Sequence, residues 1–162
     1  MSPSEPLAED PHHIDLLSFH PVPEGTSFPD APTGFALVAL WHRGRALMVH
    51  VRARGCWELP GGGIEEGESE RRAAVRELYE ETGQGLATGD LRFVGYARTH
   101  RVRTGSLLYG ALYTATLTSE AIREFTPHEE IADTHWYAPG EPLPPTARSR
   151  SLDDHLLSLC TD

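Results

Sequence analysis

Gly62-Gly63-Ile64-Glu65-Glu66-Gly67-Glu68-Ser69-Glu70-Arg71-Arg72-Ala73-Ala74-Val75-Arg76-Glu77-Leu78-Tyr79-Glu80-Glu81-Thr82-Gly83 is the stretch on which the reading of this 162-residue chain turns. Ser69 can cap the open amides of a first helical turn, and Gly83 supplies the left-handed stop that ends one. Between them Ala74, Val75, Leu78 and Tyr79 fall on one side at about 100° per residue, which predicts a packed helix through Thr82. Glu77, Glu80 and Glu81 stand at i, i+3 and i+4 and so share a second face. They sit in the last turns, at the negative end of the helix dipole, where carboxylates are unfavourable. Three like charges there repel one another unless something positive compensates. A hard divalent cation with oxygen ligands is the natural candidate, Mg²⁺ being the most available. The Gly-rich lead-in lets backbone approach a ligand closely, and Arg76 can pair with Glu68 to steady the first glutamate.

Working outward, Phe35-Ala36-Leu37-Val38-Ala39-Leu40-Trp41 and Ala46-Leu47-Met48-Val49-His50-Val51 flank His42-Arg43-Gly44 and read as a β-hairpin. Both arms are nearly continuous apolar runs, as in strands covered on both faces. Trp57-Glu58-Leu59-Pro60-Gly61-Gly62-Gly63 reads as an irregular loop. Residues 91–103 and 107–117 are further strand candidates, residues 134–137 a short one. Leu152, Leu156 and Leu159 mark an amphipathic C-terminal helix whose apolar side packs on the core. The sum is a mixed α/β domain over residues 33–162, with hairpins and few crossover units. Residues 1–32 hold seven of the 13 prolines and read as an N-terminal extension, within which residues 14–19 can form a short element packed on the domain.

Composition removes several chemistries. All 14 basic residues are Arg, so a Schiff-base lysine, a Gly-Lys-Ser/Thr phosphate loop and a Ser/Lys pair are excluded. The net charge of −10 argues against stable binding to nucleic acid or an acidic membrane. Cys56 and Cys160 lie far apart with no CxxC, and neither an HExxH nor a GxSxG occurs. No apolar run is long enough to span a bilayer, and a cytoplasmic setting is the expectation.

Gly62, five residues, Glu68, seven residues, then Arg76-Glu77-Leu78-Tyr79-Glu80-Glu81-Thr82-Gly83 resembles the signature of the Nudix hydrolases, with every fixed position at its spacing. The departure is Gln84, where that family usually has an aliphatic residue. The resemblance implies an α/β/α sandwich with a mixed β-sheet, and Mg²⁺-dependent (or Mn²⁺-dependent) hydrolysis of a nucleoside diphosphate linked to another moiety. Carried over by position, Glu77, Glu80 and Glu81 are metal ligands, with the Gly61 carbonyl as an additional one. Gly62, Glu68 and Arg76 support the site. Glu77 or Glu81 polarises the nucleophilic water, unless the base lies on a later loop, where Glu129 and Glu130 are candidates and Glu130 is favoured.

A phosphate chain also needs donors, and without Lys these fall to Arg. Arg52 and Arg54 precede the Gly-rich loop, where relatives in that family often carry a phosphate-binding Arg. Arg98 and Arg101, with Arg103 beyond them, follow the helix on the next strand. Trp41, Trp57 and Trp136 read first as core. Subfamily markers for ADP-ribose, diadenosine polyphosphate and NADH hydrolysis are absent, which leaves a MutT-like nucleoside triphosphate as the default substrate. The partner is then a small-molecule nucleotide, and the chain a monomer or homodimer. The alternative is a catalytically silent Nudix-like module that binds a nucleotide and regulates; the complete set of glutamates favours the enzyme.

Overall fold

The computed structural model describes residues 14–160. Its core is a nine-stranded mixed sheet built from β1 (Ile14–His20), β2 (Thr33–His42), β3 (Arg45–Val51), β4 (Cys56–Glu58), β5 (Gly61–Gly63), β6 (Arg92–Arg101), β7 (Ser106–Thr116), β8 (Ile131–Tyr137) and β9 (Arg148–Ser149). The strand order is β1-β6-β7-β2-β3-β4-β9, with β5 on β2 and β8 on β3. Two helices, α1 (Glu70–Thr82) and α2 (Ser151–Ser158), complete the fold.

The unbroken apolar run of β2 is explained by its position. Ala36, Val38 and Leu40 point to the face where Ala73, Ala74 and Leu78 of α1 pack. Leu37 and Ala39 point to the other face, under Leu152, Leu156 and Leu157 of α2. Alternation at a period of two thus feeds two cores from one strand, and the result is a three-layer α/β/α sandwich. The hairpin itself is brief: β2 and β3 pair only at Trp41↔Ala46 and His42↔Arg45 before they diverge. Beyond that point β2 runs parallel to β7, while β3 turns to β4 and β8.

Helix α1 begins and ends where its caps dictate. The Ser69 hydroxyl accepts from the Arg72 amide, and Gly83 at φ 77° donates its amide to the Tyr79 carbonyl. Tyr79 departs from the expected apolar side; it is 60% exposed, and Ala73 takes its place in the core. In α2, Leu152 and Leu156 are buried as expected, whereas Leu159 lies past the helix end and Leu157 packs instead.

Two expectations are corrected. Gly61–Gly63 form a strand, because Pro60 and the glycines lie flat against β2 in the register Phe35↔Gly63, Ala36↔Gly62, Leu37↔Gly61. The boundary at residue 33 also falls inside the folded unit. β1 pairs antiparallel with β6. The prolines after it form a strap: Glu24 takes bonds from Tyr113 (2.7 Å) and Arg71, and Asp30 from Tyr109 (3.0 Å) and Arg98. Phe28 stacks on Tyr109 with ring centroids 3.7 Å apart. Residues 1–13 of the expected extension lie outside the described residues.

Gln84 shows why an aliphatic residue is dispensable at the end of the box. It is buried, its Nε2 donates to the Arg123 carbonyl at 2.7 Å, and its Oε1 accepts from the Arg123 amide at 2.9 Å. Gln84→Leu should therefore cost about 1–2 kcal/mol, the loss of a paired backbone clamp. Urea denaturation measures it; unchanged stability would show that the clamp contributes nothing.

Candidate active site

The site assembles where the end of α1 meets β5. Arg76 is its organiser. Its guanidinium donates to both carboxylate oxygens of Glu68 (2.8 and 2.9 Å), to the Gly63 carbonyl (2.9 Å), to Glu77 (3.0 Å) and to Glu80 (3.2 Å). The expected Arg76–Glu68 pair is thus present, and it ties the loop before the helix to the carboxylates at its end. That pairing holds the Glu68 carboxyl down at about 2.

The three glutamates are not equivalent. Glu80 is half exposed and shares Arg76. Glu77 is mostly buried, and its carboxylate lies against Gly62 so closely that a Cβ there would stand 2.5 Å from the Glu77 carboxyl carbon. Burial pushes Glu77 up, opposed by Arg76. Glu81 is buried and accepts only the Gly61 amide, at 2.8 Å. Burial, followed by the charges of Glu77, Glu58 and Glu130, pushes Glu81 up to about 8. The repulsion expected of three helix-end acids is therefore concentrated on one of them. Arg76 answers the charge of Glu77 and Glu80, whereas Glu81 has no ion pair among the described residues and only the Gly61 amide and the more distant Arg54 act against its charge.

These donors suit a hard divalent cation: all are carboxylate or carbonyl oxygens, with uncompensated negative charge on a buried member. Among the described residues no group of three acidic, His or Cys side chains is already gathered at metal-holding distance. Arg76 draws Glu77 and Glu80 to itself, and Glu81 turns to the Gly61 amide. The Gly61 position tolerates no side chain, since a Cβ would meet the Ala36 carbonyl oxygen at 2.1 Å.

Glu130 lies close enough to act electrostatically on both Glu77 and Glu81. Its loop is fastened by a residue that sequence reasoning missed. His128 contacts the Glu81 carbonyl through Nε2 (3.1 Å), and its Nδ1 accepts from the Glu130 amide (3.4 Å), which sets the tautomer with the proton on Nε2. Arg52 completes the fastening, its Nε donating to the His128 carbonyl and its amide to the Glu130 carbonyl. Arg52 is therefore a brace for this loop.

On the α2 side of the loop lies a cavity of about 650 Å³, bounded by Gly62 and Gly63 and floored by Phe35, Leu37, Leu152 and Leu156. Arg54 and Arg101 line it. Arg54 is held by a bidentate bond to Glu58 (2.6 and 2.9 Å), which also faces Arg150 at 3.5 Å. Asp153 of α2 accepts from Arg150 and from the Leu59 amide, so a buried charge chain anchors α2 to the loop. Arg98 is not brought to the cavity. Ala97, Thr99 and Arg101 face it, alternation turns Arg98 to the opposite side of β6, and Asp30 holds it there at 2.9 Å. Arg54–Glu58 and Arg150–Asp153 are local pairs, but the contacts that join the two, Glu58 to Arg150 and the Leu59 amide to Asp153, span up to 94 positions of the chain and had no spacing signal. Trp57 is fully buried with its indole N–H on the Pro144 carbonyl, a core residue as read.

A family profile described as the NUDIX domain matches residues 9–157. The chain belongs to the Nudix family. A MutT-like protein of Streptomyces ambofaciens is 36% identical over 86 residues, 53% of this chain and 55% of that one. An RNA pyrophosphohydrolase of Cereibacter sphaeroides is 67% identical over 27 residues, 17% of each chain. The chain thus matches only part of these relatives' length. Among solved structures, a MutT Nudix hydrolase from Burkholderia pseudomallei has a TM-score of 0.66 at 24% identity, over 80% of this chain and 98% of that one, a likeness of fold. No helix among the described residues of this Nudix protein is long and apolar enough to cross a membrane.

Glu81 makes metal-free stability depend on pH. It ionises near its ordinary 4.5 when unfolded and near 8 when folded, so its contribution is full below about 4.5 and is lost as pH rises to 8. In EDTA, Glu81→Gln should flatten the fall of Tm across that window. A parallel fall in both proteins would place the buried charge elsewhere.

Proposed function

We propose that this Nudix protein is a cytoplasmic, Mg²⁺-dependent pyrophosphohydrolase acting on a nucleoside diphosphate linked to another group, nucleoside triphosphates included. One observation carries the reading: two carboxylates, the mostly buried Glu77 and the buried Glu81, pack against the Gly61–Gly62 backbone beside a cavity of nucleotide size that arginines line. The MutT-like relative supports a nucleotide substrate. Buried thiols at Cys56 and Cys160 suit a reducing compartment.

Glu77, Glu80 and Glu81, with the Gly61 carbonyl, would hold the cation. Once bound, a divalent cation lowers the pKa of a coordinated water and offsets phosphate charge. The rest falls to the chain. Arg76 keeps Glu77 aimed at the loop, and the Gly61 amide fixes Glu81. Gly62, lacking a Cβ, leaves the Glu77 carboxylate room to lie against the loop. Glu130, on the loop that His128 and Arg52 fasten, accepts the proton of the water that attacks phosphorus as the bridging P–O bond breaks. The leaving phosphate keeps the bridging oxygen.

The test is phosphate release with Mg²⁺ from nucleoside di- and triphosphates, sugar nucleotides and dinucleoside polyphosphates. Turnover of at least one class is expected, and none in Glu77→Gln or Glu81→Gln despite an intact fold. Full activity in both variants would overturn the assignment. Gly62→Ala should lower kcat about 100-fold, because the new methyl displaces the Glu77 carboxylate by roughly an ångström. An unaffected kcat would mean that the Glu77–Gly62 contact has no part in turnover.

A further inference from the structure

The cavity beside the Gly-rich loop is unequal at its two ends. At the loop end the arginines are already committed: Arg54 to Glu58, and Arg150 to Asp153 and Glu58. Arg101, Arg103 and Arg148 also line it, and none of the three has a carboxylate within ion-pair distance among the described residues. Arg101 closes β6 and Arg103 sits in the turn after it, whereas Arg148 comes from β9, paired to β4 through Cys56↔Arg148. Cations thus enter the cavity from two separate parts of the sheet.

Elsewhere Arg45, Arg71, Arg76 and Arg98 hold acids within 4 Å, whereas Arg43, Arg52, Arg72 and Arg123 show no such pair among the described residues; what sets Arg101, Arg103 and Arg148 apart is that they gather around one cavity. With 24 acidic residues against 14 basic ones, partners are in surplus. Three guanidinium groups around one cavity with no carboxylate partner among the described residues mark a place for an anion.

The order of surfaces says which anion. The scissile anhydride belongs at the loop, beside Gly62 and the glutamates. Apolar Ile14, Phe35, Leu37, Leu152 and Leu156 also line the cavity, a surface suited to a base. A nucleoside attached through its 5′ carbon at the loop end, with its base on that floor, turns its 2′ and 3′ positions toward what remains, the arginine rim.

We propose that Arg101, Arg103 and Arg148 form a second anion subsite, which receives a phosphate carried on the 2′ or 3′ oxygen of the substrate's sugar. The substrate class is then a nucleoside diphosphate derivative with a further phosphate on its ribose. This rests on the functional reading above for the placement of the anhydride, and it adds which member of that broad class fits.

Binding tests it separately from turnover. Calorimetry would compare adenosine and guanosine 5′-monophosphates with the corresponding 3′,5′- and 2′,5′-bisphosphates on the full chain, in fixed salt without divalent metal. At least one bisphosphate should bind tenfold or more tightly than its monophosphate. Whichever isomer gains tells which sugar oxygen carries the group. Arg101→Gln/Arg103→Gln and Arg148→Gln should each remove most of that gain, and leave monophosphate affinity and the thermal transition within error. Equal affinity for mono- and bisphosphates in the native chain would overturn the subsite. So would variants that weaken both ligands alike, because the arginines would then serve the 5′ phosphates. A gain that survives in all variants would also overturn it. Absence of hydrolysis in the native chain would instead count against the functional reading, and would leave this binding comparison intact.

Discussion

The bonds of Arg76 are the constraint from which the rest of the site follows. One guanidinium spans Glu68 before the helix, the Gly63 carbonyl in β5, and Glu77 and Glu80 at the helix end. It therefore locks strand, loop and helix into one body, with rigid planar donors that an ammonium could not reproduce. Because Arg76 is saturated by these partners, it cannot also neutralise Glu81. The buried residue left over is the one whose ionisation the fold opposes, and a divalent cation would relieve that opposition. Stability of the frame and readiness of the site are two consequences of the same side chain.

Much of this was legible in the sequence. The caps of α1, the two-faced run of β2 and the Arg76–Glu68 pair are local or follow a fixed period, so they are readable without coordinates. Glu77, Glu80 and Glu81 could be placed on one helical face for the same reason. What spacing could not separate was their environment. Only the pairing of β5 with β2 puts the Gly61 amide on Glu81 and leaves Glu80 in solvent. The arginines show the limit most clearly. Arg98 and Arg101 look alike in sequence, yet they lie three residues apart on one strand and so face opposite sides of the sheet. In the chain from Arg54 through Glu58 and Arg150 to Asp153 the outer pairs are local, and the long-range link from Glu58 to Arg150 carried no pattern.

The prolines before residue 33 give a related lesson. Their density argued for an appendage, and it was a sound argument about regular structure. Pinning comes from side chains that proline does not block: Glu24 takes donors from Tyr113 of the sheet and Arg71 of α1, Asp30 from Tyr109 and Arg98 of the sheet, and Phe28 stacks on Tyr109. An irregular segment can belong to a domain without joining a ladder. The same strap occupies Arg98 and holds it away from the cavity that Arg101 lines.

The acidity of the chain is also unevenly distributed. Residues 65–81 hold seven glutamates against three arginines, a net of −4 out of −10. Close to this acidic stretch lies a cavity with arginines on its walls, so acidic and basic side chains stand side by side. The most direct check of this account is a calorimetric titration of Mg²⁺ into the native chain and into Glu81→Gln under identical salt and pH. Saturable binding to the native chain, weakened tenfold or more in the variant, is the predicted result. Equal binding to the two proteins, or none to either, would contradict it.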